Sequence, residues 1–278
     1  MRGCNVARVI SILNIKGGVG KSTISFNLAH AIQRNNKRVL LVDLDMQCNL
    51  TDMCVPEPER ITYSVYDLLT NEDFLPTNAV YKTVVQGVDI IPADLRLFEV
   101  EQVINPLTNP AAMLMLRNRL AVGLHDSYDY IIIDCRPEIS LLTMNALIAS
   151  DHYMVPVLCD RHSVRGIDMT DSYVKSAKRV NPNLQEIGIV INALDRRKTN
   201  AMTIYNYLRK KLNERIMETV VGTNAAIETA ATHQQTIFQY DARQPGVRYF
   251  KQLAAEVMRK CGDPIAVEDA GDGEAEEN

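Results

Sequence analysis

The sequence predicts an α/β fold, a mostly parallel twisted sheet covered by helices on both faces. Three observations lead there. Short aliphatic runs alternate with segments of helical periodicity along most of the 278 residues. The runs are continuously apolar, as in strands buried on both faces. The first run passes through a glycine-rich turn straight into a helical pattern.

The first strand is expected over 7–14, ARVISILN. A helix follows the glycine turn, because Ile24, Leu28, Ala31 and Ile32 recur at helical spacing. Further strands are expected at 37–45, 88–93, 128–135, 151–158, 184–192 and 216–221, each rich in Val, Ile or Leu. Helical segments are expected at 96–104, 110–124, 139–149, 164–180, 200–214 and 247–260. No repeat or long linker interrupts this alternation, so residues 1–262 read as one domain. The last stretch, 263–278, is acidic and poor in apolar residues, and reads as a disordered tail.

The turn after the first strand is Ile15-Lys16-Gly17-Gly18-Val19-Gly20-Lys21-Ser22-Thr23. Glycines let a backbone curl until its N–H groups face phosphate oxygens, and the following helix adds partial positive charge. Lys21 would reach the β- and γ-phosphates, and the Ser22 hydroxyl would ligate Mg²⁺, a cation that prefers oxygen. The strand–glycine loop–helix context is the one a P-loop requires, so a P-loop NTPase is expected. Asp43, Asp45 and Asp134 end predicted strands beside it, where open parallel sheets bind ligands. Each could also cap a following helix.

Composition is that of a globular protein, with 46% hydrophobic and 23% charged residues, which excludes a mainly disordered or fibrous chain. No window approaches the roughly 20 apolar residues of a membrane span, and the N-terminus lacks a signal-peptide layout, so a cytoplasmic location is expected. The six cysteines are scattered, with no C-x-x-C pair, and reduced thiols are expected. Cys48 and Cys54 stand further apart than usual metal-ligand pairs. The net charge of −4 is unevenly placed. Residues 1–160 carry net −5, residues 161–262 net +8, and residues 263–278 net −7. The positive C-terminal half fits either a polyanionic partner or an ordinary solvated surface.

The K-G-G-x-G-K-[ST] form, with Lys16 following Ile15 where a glycine usually stands, resembles the deviant Walker A box of the ParA/MinD ATPases. SYDYIIIDCRPEISLLTMNAL, DHYMVPVLCDRHSVRGID, VINALDRRKTN and FQYDARQPGVRYFKQLAAEV are similar to later segments of the ParA/Soj partition ATPases, over most of residues 8–260. The resemblance implies an ATPase that binds ATP and Mg²⁺ through residues 16–23 and forms a homodimer sandwiching two nucleotides. Lys16 then stabilises charge in the partner's site, much as an arginine finger does. By the same resemblance Asp134 is the Walker B aspartate, Asp45 orients the attacking water, Asp43 supports the metal–water network, and Asn192 contacts adenine. It further implies non-specific DNA binding on the nucleoid, a ParB-like or cargo-adaptor protein that stimulates hydrolysis, and the positioning of a plasmid, a chromosome or a protein assembly.

Three departures stand out. Switch I, usually D-P-Q-G-N, is Asp45-Met46-Gln47-Cys48-Asn49, and the two usual switch II prolines are Arg136-Pro137. The stretch usually reading R-N-V-R-L-S-E-A is Thr223-Asn224-Ala225-Ala226-Ile227-Glu228-Thr229-Ala230, so two basic positions are lost. DNA contacts would then rest on Arg197, Lys198 and Lys211, with Arg196, Arg209, Lys210 and Arg215 nearby. The last helix, with Val247, Phe250, Leu253, Ala254 and Val257 on one face, reads as core packing rather than a membrane anchor. The alternative functional reading is a MinD-like, metabolic or regulatory ATPase of the same superfamily without DNA binding.

Overall fold

The computed structural model describes residues 6–104, 109–161 and 163–263. Strand β1 (Arg8–Ile12) leads through the glycine loop into α1 (Lys21–Gln33), and β2 (Val39–Asp43) follows. Two short helices, α2 (Asn49–Cys54) and α3 (Val65–Thr70), precede β3 (Tyr81–Lys82) and β4 (Val88–Ile91). Next come α4 (Leu97–Val103), α5 (Met115–Leu120), β5 (Tyr130–Asp134), α6 (Leu141–Ala149) and β6 (His152–Leu158). The chain continues through α7 (Ser163–Ala177), β7 (Gln185–Leu194), α8 (Thr199–Leu212) and β8 (Ile216–Gly222). It closes with α9 (Ala225–Thr232), α10 (Ile237–Tyr240) and α11 (Pro245–Lys260).

The eight strands form one sheet in the order β3-β4-β2-β5-β1-β6-β7-β8. Seven are mutually parallel, and only the two-residue edge strand β3 runs antiparallel, against β4. The predicted mostly parallel sheet is therefore present, and all seven predicted strands are in it. Alternate residues of each central strand feed two separate cores. Val9, Leu40, Val42, Ile131 and Ile133 pack on one face, and Ile10, Ile12, Leu41, Tyr130 and Ile132 on the other. Period-2 geometry sends neighbours to opposite faces, so a strand covered on both sides has to be apolar throughout.

Helix α11 lies on the second face, with Val247, Phe250, Leu253, Ala254 and Val257 all buried. Burying that stripe contributes on the order of 10 kcal/mol, which membrane docking would forfeit. No helix among the described residues is long and apolar enough to cross a membrane.

The single helix expected over 110–124 is instead a 3₁₀ turn at Pro110–Leu114 followed by α5, and the chain turns at Gly123 with φ 78°. The predicted end of the body also moves. Asp263 is buried, accepts a hydrogen bond from the Tyr130 hydroxyl at 2.9 Å and pairs with Lys37 at 2.8 Å. The packed body therefore includes 263, and the rest of the predicted tail, 264–278, lies outside the described residues.

Candidate functional site: a phosphate loop and its carboxylates

Parallel pairing brings the carboxyl ends of β1, β2 and β5 together. Asp43 and Asp134 are paired positions of β2 and β5, and Ile12 of β1 pairs with Asp134 on the other side. The glycine loop leaves β1 at this edge. Gly18 and Gly20 have φ of 69° and 85°, where a side chain is strained, and a Cβ at Gly20 would collide with the Asn192 amide. Asn14 anchors the loop. Its Oδ1 accepts from the Lys16 N–H at 2.9 Å, and its Nδ2 donates to the Pro156 carbonyl at 2.7 Å. Asn192, expected at adenine, donates from Nδ2 to the Val19 carbonyl at 2.8 Å, so its amide nitrogen holds the loop.

Helix α1 begins at Gly20 with no side-chain cap and no acidic residue in its first turn. Its first N–H groups therefore have no side-chain cap, and Lys21, Ser22 and Thr23 of this turn line the cleft where a phosphate would sit. Lys21 is buried, and its Nζ donates to the Asn14 carbonyl at 3.4 Å. Burial lowers its pKa, and Asp134, Cys135 and Asp45 oppose that shift.

Asp134 is 1% exposed. Its Oδ1 accepts from Ser25 Oγ at 3.1 Å, whereas its Oδ2 is buried with no hydrogen-bond partner among the described residues. Burial pushes its pKa up to about 6, against the Ser22 hydroxyl, the Lys21 ammonium and the Ser25 hydroxyl. An orphaned carboxylate oxygen and a serine hydroxyl are oxygen donors of the kind a hard cation takes, and the neighbouring Lys21 ammonium suits a phosphate.

Asp43, expected to support the metal–water network, is also engaged within the chain. Its oxygens are engaged by the Asp45 N–H at 3.0 Å, the Thr51 N–H at 3.0 Å and the Thr51 hydroxyl at 2.8 Å. It holds the loop after β2 in place. Burial and the neighbouring Asp134 push its pKa up to about 7, and the three hydrogen bonds pull the other way.

Asp45 lines a cleft of about 480 Å³ together with Gly18, Gly20, Lys21, Ser22 and Thr23. Its Oδ1 accepts from the Gln47 N–H at 3.0 Å. Gln47 and Asn49 of the switch I segment and Pro137 of switch II also line this cleft, with Asp52, which belongs to no motif. A larger cavity of about 530 Å³ between α3, α4 and α5 contains none of the motif residues. Cys48 and Cys54 belong to no cluster of three His, Cys, Asp or Glu side chains suited to a metal among the described residues.

Lys16 does not line the cleft of its own chain. Its Nζ pairs with Asp160, at the end of β6, and the two side chains are 25% and 37% exposed. Among the basic residues, Arg197 is 87% exposed and donates to Asp195 at 2.9 and 3.1 Å. Lys198 is exposed, and Lys211 pairs loosely with Asp168 at 3.6 Å. Arg215 differs from the rest, because two carboxylates hold its guanidinium, Asp171 at 2.6 Å and Glu186 at 2.9 Å. Asn224 caps α9 and lies beside the Arg197 loop, since Thr223 donates to the Leu194 carbonyl at 3.1 Å.

The carboxylates carry a testable cost. Asp43 and Asp134 both titrate above an unfolded aspartate. Between that value and about pH 7 the folded chain holds more protons than the unfolded one. The pair's contribution to stability therefore falls as pH rises through that window. Asp134→Asn should stabilise the nucleotide-free protein by about 2 kcal/mol at pH 8, roughly 5 °C in Tm, and by less at pH 4.5. Thermal melts at the two pH values check this, and an unchanged or lower Tm at pH 8 would contradict it.

The family described as AAA domain matches residues 7–186. The chain is 34% identical over 253 residues to the sporulation initiation inhibitor protein Soj of Bacillus subtilis, covering 91% of this chain and 98% of Soj. It is 31% identical over 262 residues to the chromosome partitioning protein ParA of Caulobacter vibrioides, covering 93% and 97%. Among solved structures it resembles a cobyrinic acid a,c-diamide synthase from Mycobacterium smegmatis with bound ADP and magnesium. The TM-score is 0.79 at 25% identity, over 92% of this chain and 96% of that one.

Proposed function

Because the chain belongs to the Soj/ParA family of partition ATPases, we propose that it hydrolyses ATP with Mg²⁺, dimerises around the nucleotide and binds DNA without sequence preference. The observation that carries the reading is the buried, unpartnered Asp134 Oδ2 beside Lys21 and an uncapped helix N-terminus. Residues 17–23 would cradle the phosphates, and Ser22 and Asp134 would hold Mg²⁺. Bound Mg²⁺ supplies neutralisation of the charge that develops on the phosphate oxygens during transfer. Asp45 orients the water, and Asp43 keeps Asp45 in register through its N–H. Lys16 exchanges Asp160 for the phosphates of a second copy. That exchange explains why a lysine of the loop points away from its own cleft.

The basic residues give the dimer a surface for polyanions. Arg196, Arg197 and Lys198 stand at one end of α8, and Arg209, Lys210 and Lys211 at the other. Fourteen helical residues separate the ends by about 20 Å, enough to meet successive phosphates of a duplex. Arg215 is left out, because two carboxylates hold it where Arg197 and Lys211 each have one. In this reading a ParB-like or cargo-adaptor protein stimulates hydrolysis and releases the dimer from the nucleoid.

Retention of duplex DNA on a filter, with and without ATP, tests this. Retention should require ATP, and affinity should fall about a thousandfold between 50 and 200 mM salt if six or more phosphates are met per dimer. No retention with ATP, or retention insensitive to salt, would contradict the DNA reading and favour an ATPase without a DNA role.

A further inference from the structure

Two of the three departures, those in the switch segments, meet in space. Met46 stands in the loop after β2, and Arg136 in the loop after β5. The Arg136 Nη2 donates toward the Met46 Sδ at 4.0 Å, and the same guanidinium pairs with Glu138. Arg136 is 7% exposed. A guanidinium remains charged in any protein environment, and taking it out of water costs several kcal/mol unless it is matched. Its planar fork carries five N–H donors, so it can serve more than one segment at once.

The neighbours give this contact a direction. Pro137, next in sequence, packs against the phosphate loop, 3.8 Å from where a Cβ would stand on Gly17. Met46 stands between Asp45 and Gln47, and its side chain packs against the core under the sheet. The Asp45 N–H is fixed by Asp43, and the Gln47 N–H by Asp45. The Met46 side chain is a point where the segment after β5 contacts this turn, beside the backbone bond from the Leu44 N–H to the Asp134 carbonyl at 3.0 Å. The contacts run from Gly17 through Pro137 and Arg136 to Met46, and end one residue from Asp45.

We propose that Arg136 is a positioning residue that ties the loop after β5 to the loop after β2, and so sets the orientation of Asp45. It touches no substrate and acts through its contact with Met46. Its effect on turnover rests on the ATPase reading above, whereas the tie itself does not.

Two measurements on the full chain test it. The first is hydrogen exchange of the nucleotide-free protein. In Arg136→Gln the peptide spanning 44–50 should exchange about fivefold faster, because a tethered loop opens less often. Unchanged protection there would overturn the proposal. The second is a double-mutant cycle on ATP turnover. Arg136→Gln should lower kcat about tenfold with KM for ATP within twofold, Met46→Ala about threefold, and the pair no more than Arg136→Gln alone. Arg136→Lys, which keeps the charge without the fork, should recover about threefold. Independent effects that multiply to about thirtyfold, or an effect confined to KM, would overturn it. If Arg136→Gln does not fold, Arg136→Lys and Met46→Ala carry both measurements. A wild-type chain that turns over no ATP would refute the ATPase reading, and the exchange measurement would then decide the tie alone.

Discussion

Replacing Asp45 with alanine should leave ATP binding intact and lower turnover at least about a hundredfold, so that an ATP-bound dimer accumulates. Asp45 faces the same cleft as the phosphate loop, and its backbone is held from below by Asp43. That anchor uses the Asp45 N–H and survives the substitution. What is lost is the carboxylate, together with its acceptance of the Gln47 N–H. Removing an anion from a cleft built for phosphates does not weaken binding of a polyanion. The loss therefore falls on the step that needs an oriented water. Asp45→Asn separates the two roles, because the amide oxygen still accepts from Gln47 but cannot take a proton. Steady-state hydrolysis and nucleotide affinity measured on both variants check the assignment. Near-normal turnover in Asp45→Asn would remove Asp45 from the chemistry and leave it as a loop anchor.

Replacing Lys16 with alanine should have the opposite selectivity, sparing ATP binding and removing the dimer. In the single chain Lys16 spends its charge on Asp160, a partly exposed pair worth at most about 1 kcal/mol. Neither folding nor the cleft depends on it, because the anchoring bond of Lys16 to Asn14 is made by its backbone N–H. Across a symmetric interface the same ammonium, desolvated against phosphate, is worth about 2–5 kcal/mol, and it acts twice. Dimerisation should weaken a thousandfold or more on that ground. Asp160→Ala should move the balance the other way and lower the protein concentration at which the dimer forms, because Lys16 no longer has a partner in its own chain to leave.

The phosphate loop was legible because its chemistry leaves little freedom. Only glycine adopts the φ values seen at Gly18 and Gly20 without strain, and strand, glycines, lysine and helix follow each other within one short window. The seven parallel strands were legible because most of their residues are apolar and buried on both faces of the sheet. The short helices were not, since α2, α3, α9 and α10 span eight residues or fewer and hold too few turns for periodicity. Two of them still carried a local signal. Ser64 and Asp67 form a capping box on α3, as Thr236 and Gln239 do on α10. The contacts of Lys16, Arg136 and Arg215 within the chain were out of reach for a different reason. Each includes a partner far away in sequence, Asp160 for Lys16, Met46 for Arg136 and Glu186 for Arg215. No short sequence window holds both members of such a pair. Arg215 shows the consequence, because by sequence it joins the basic cluster and by structure two carboxylates hold it.

The central claim is that Lys16 completes the nucleotide site of a second copy. Sedimentation velocity of the 31.2 kDa chain, with and without ATP and Mg²⁺, tests it most directly when the wild type and Lys16→Ala are run side by side. The wild type should double in mass only with ATP and Mg²⁺, and Lys16→Ala should keep the mass of one chain while still binding ATP. A wild type of unchanged mass with ATP, or a Lys16→Ala variant that dimerises as readily as the wild type, would contradict it.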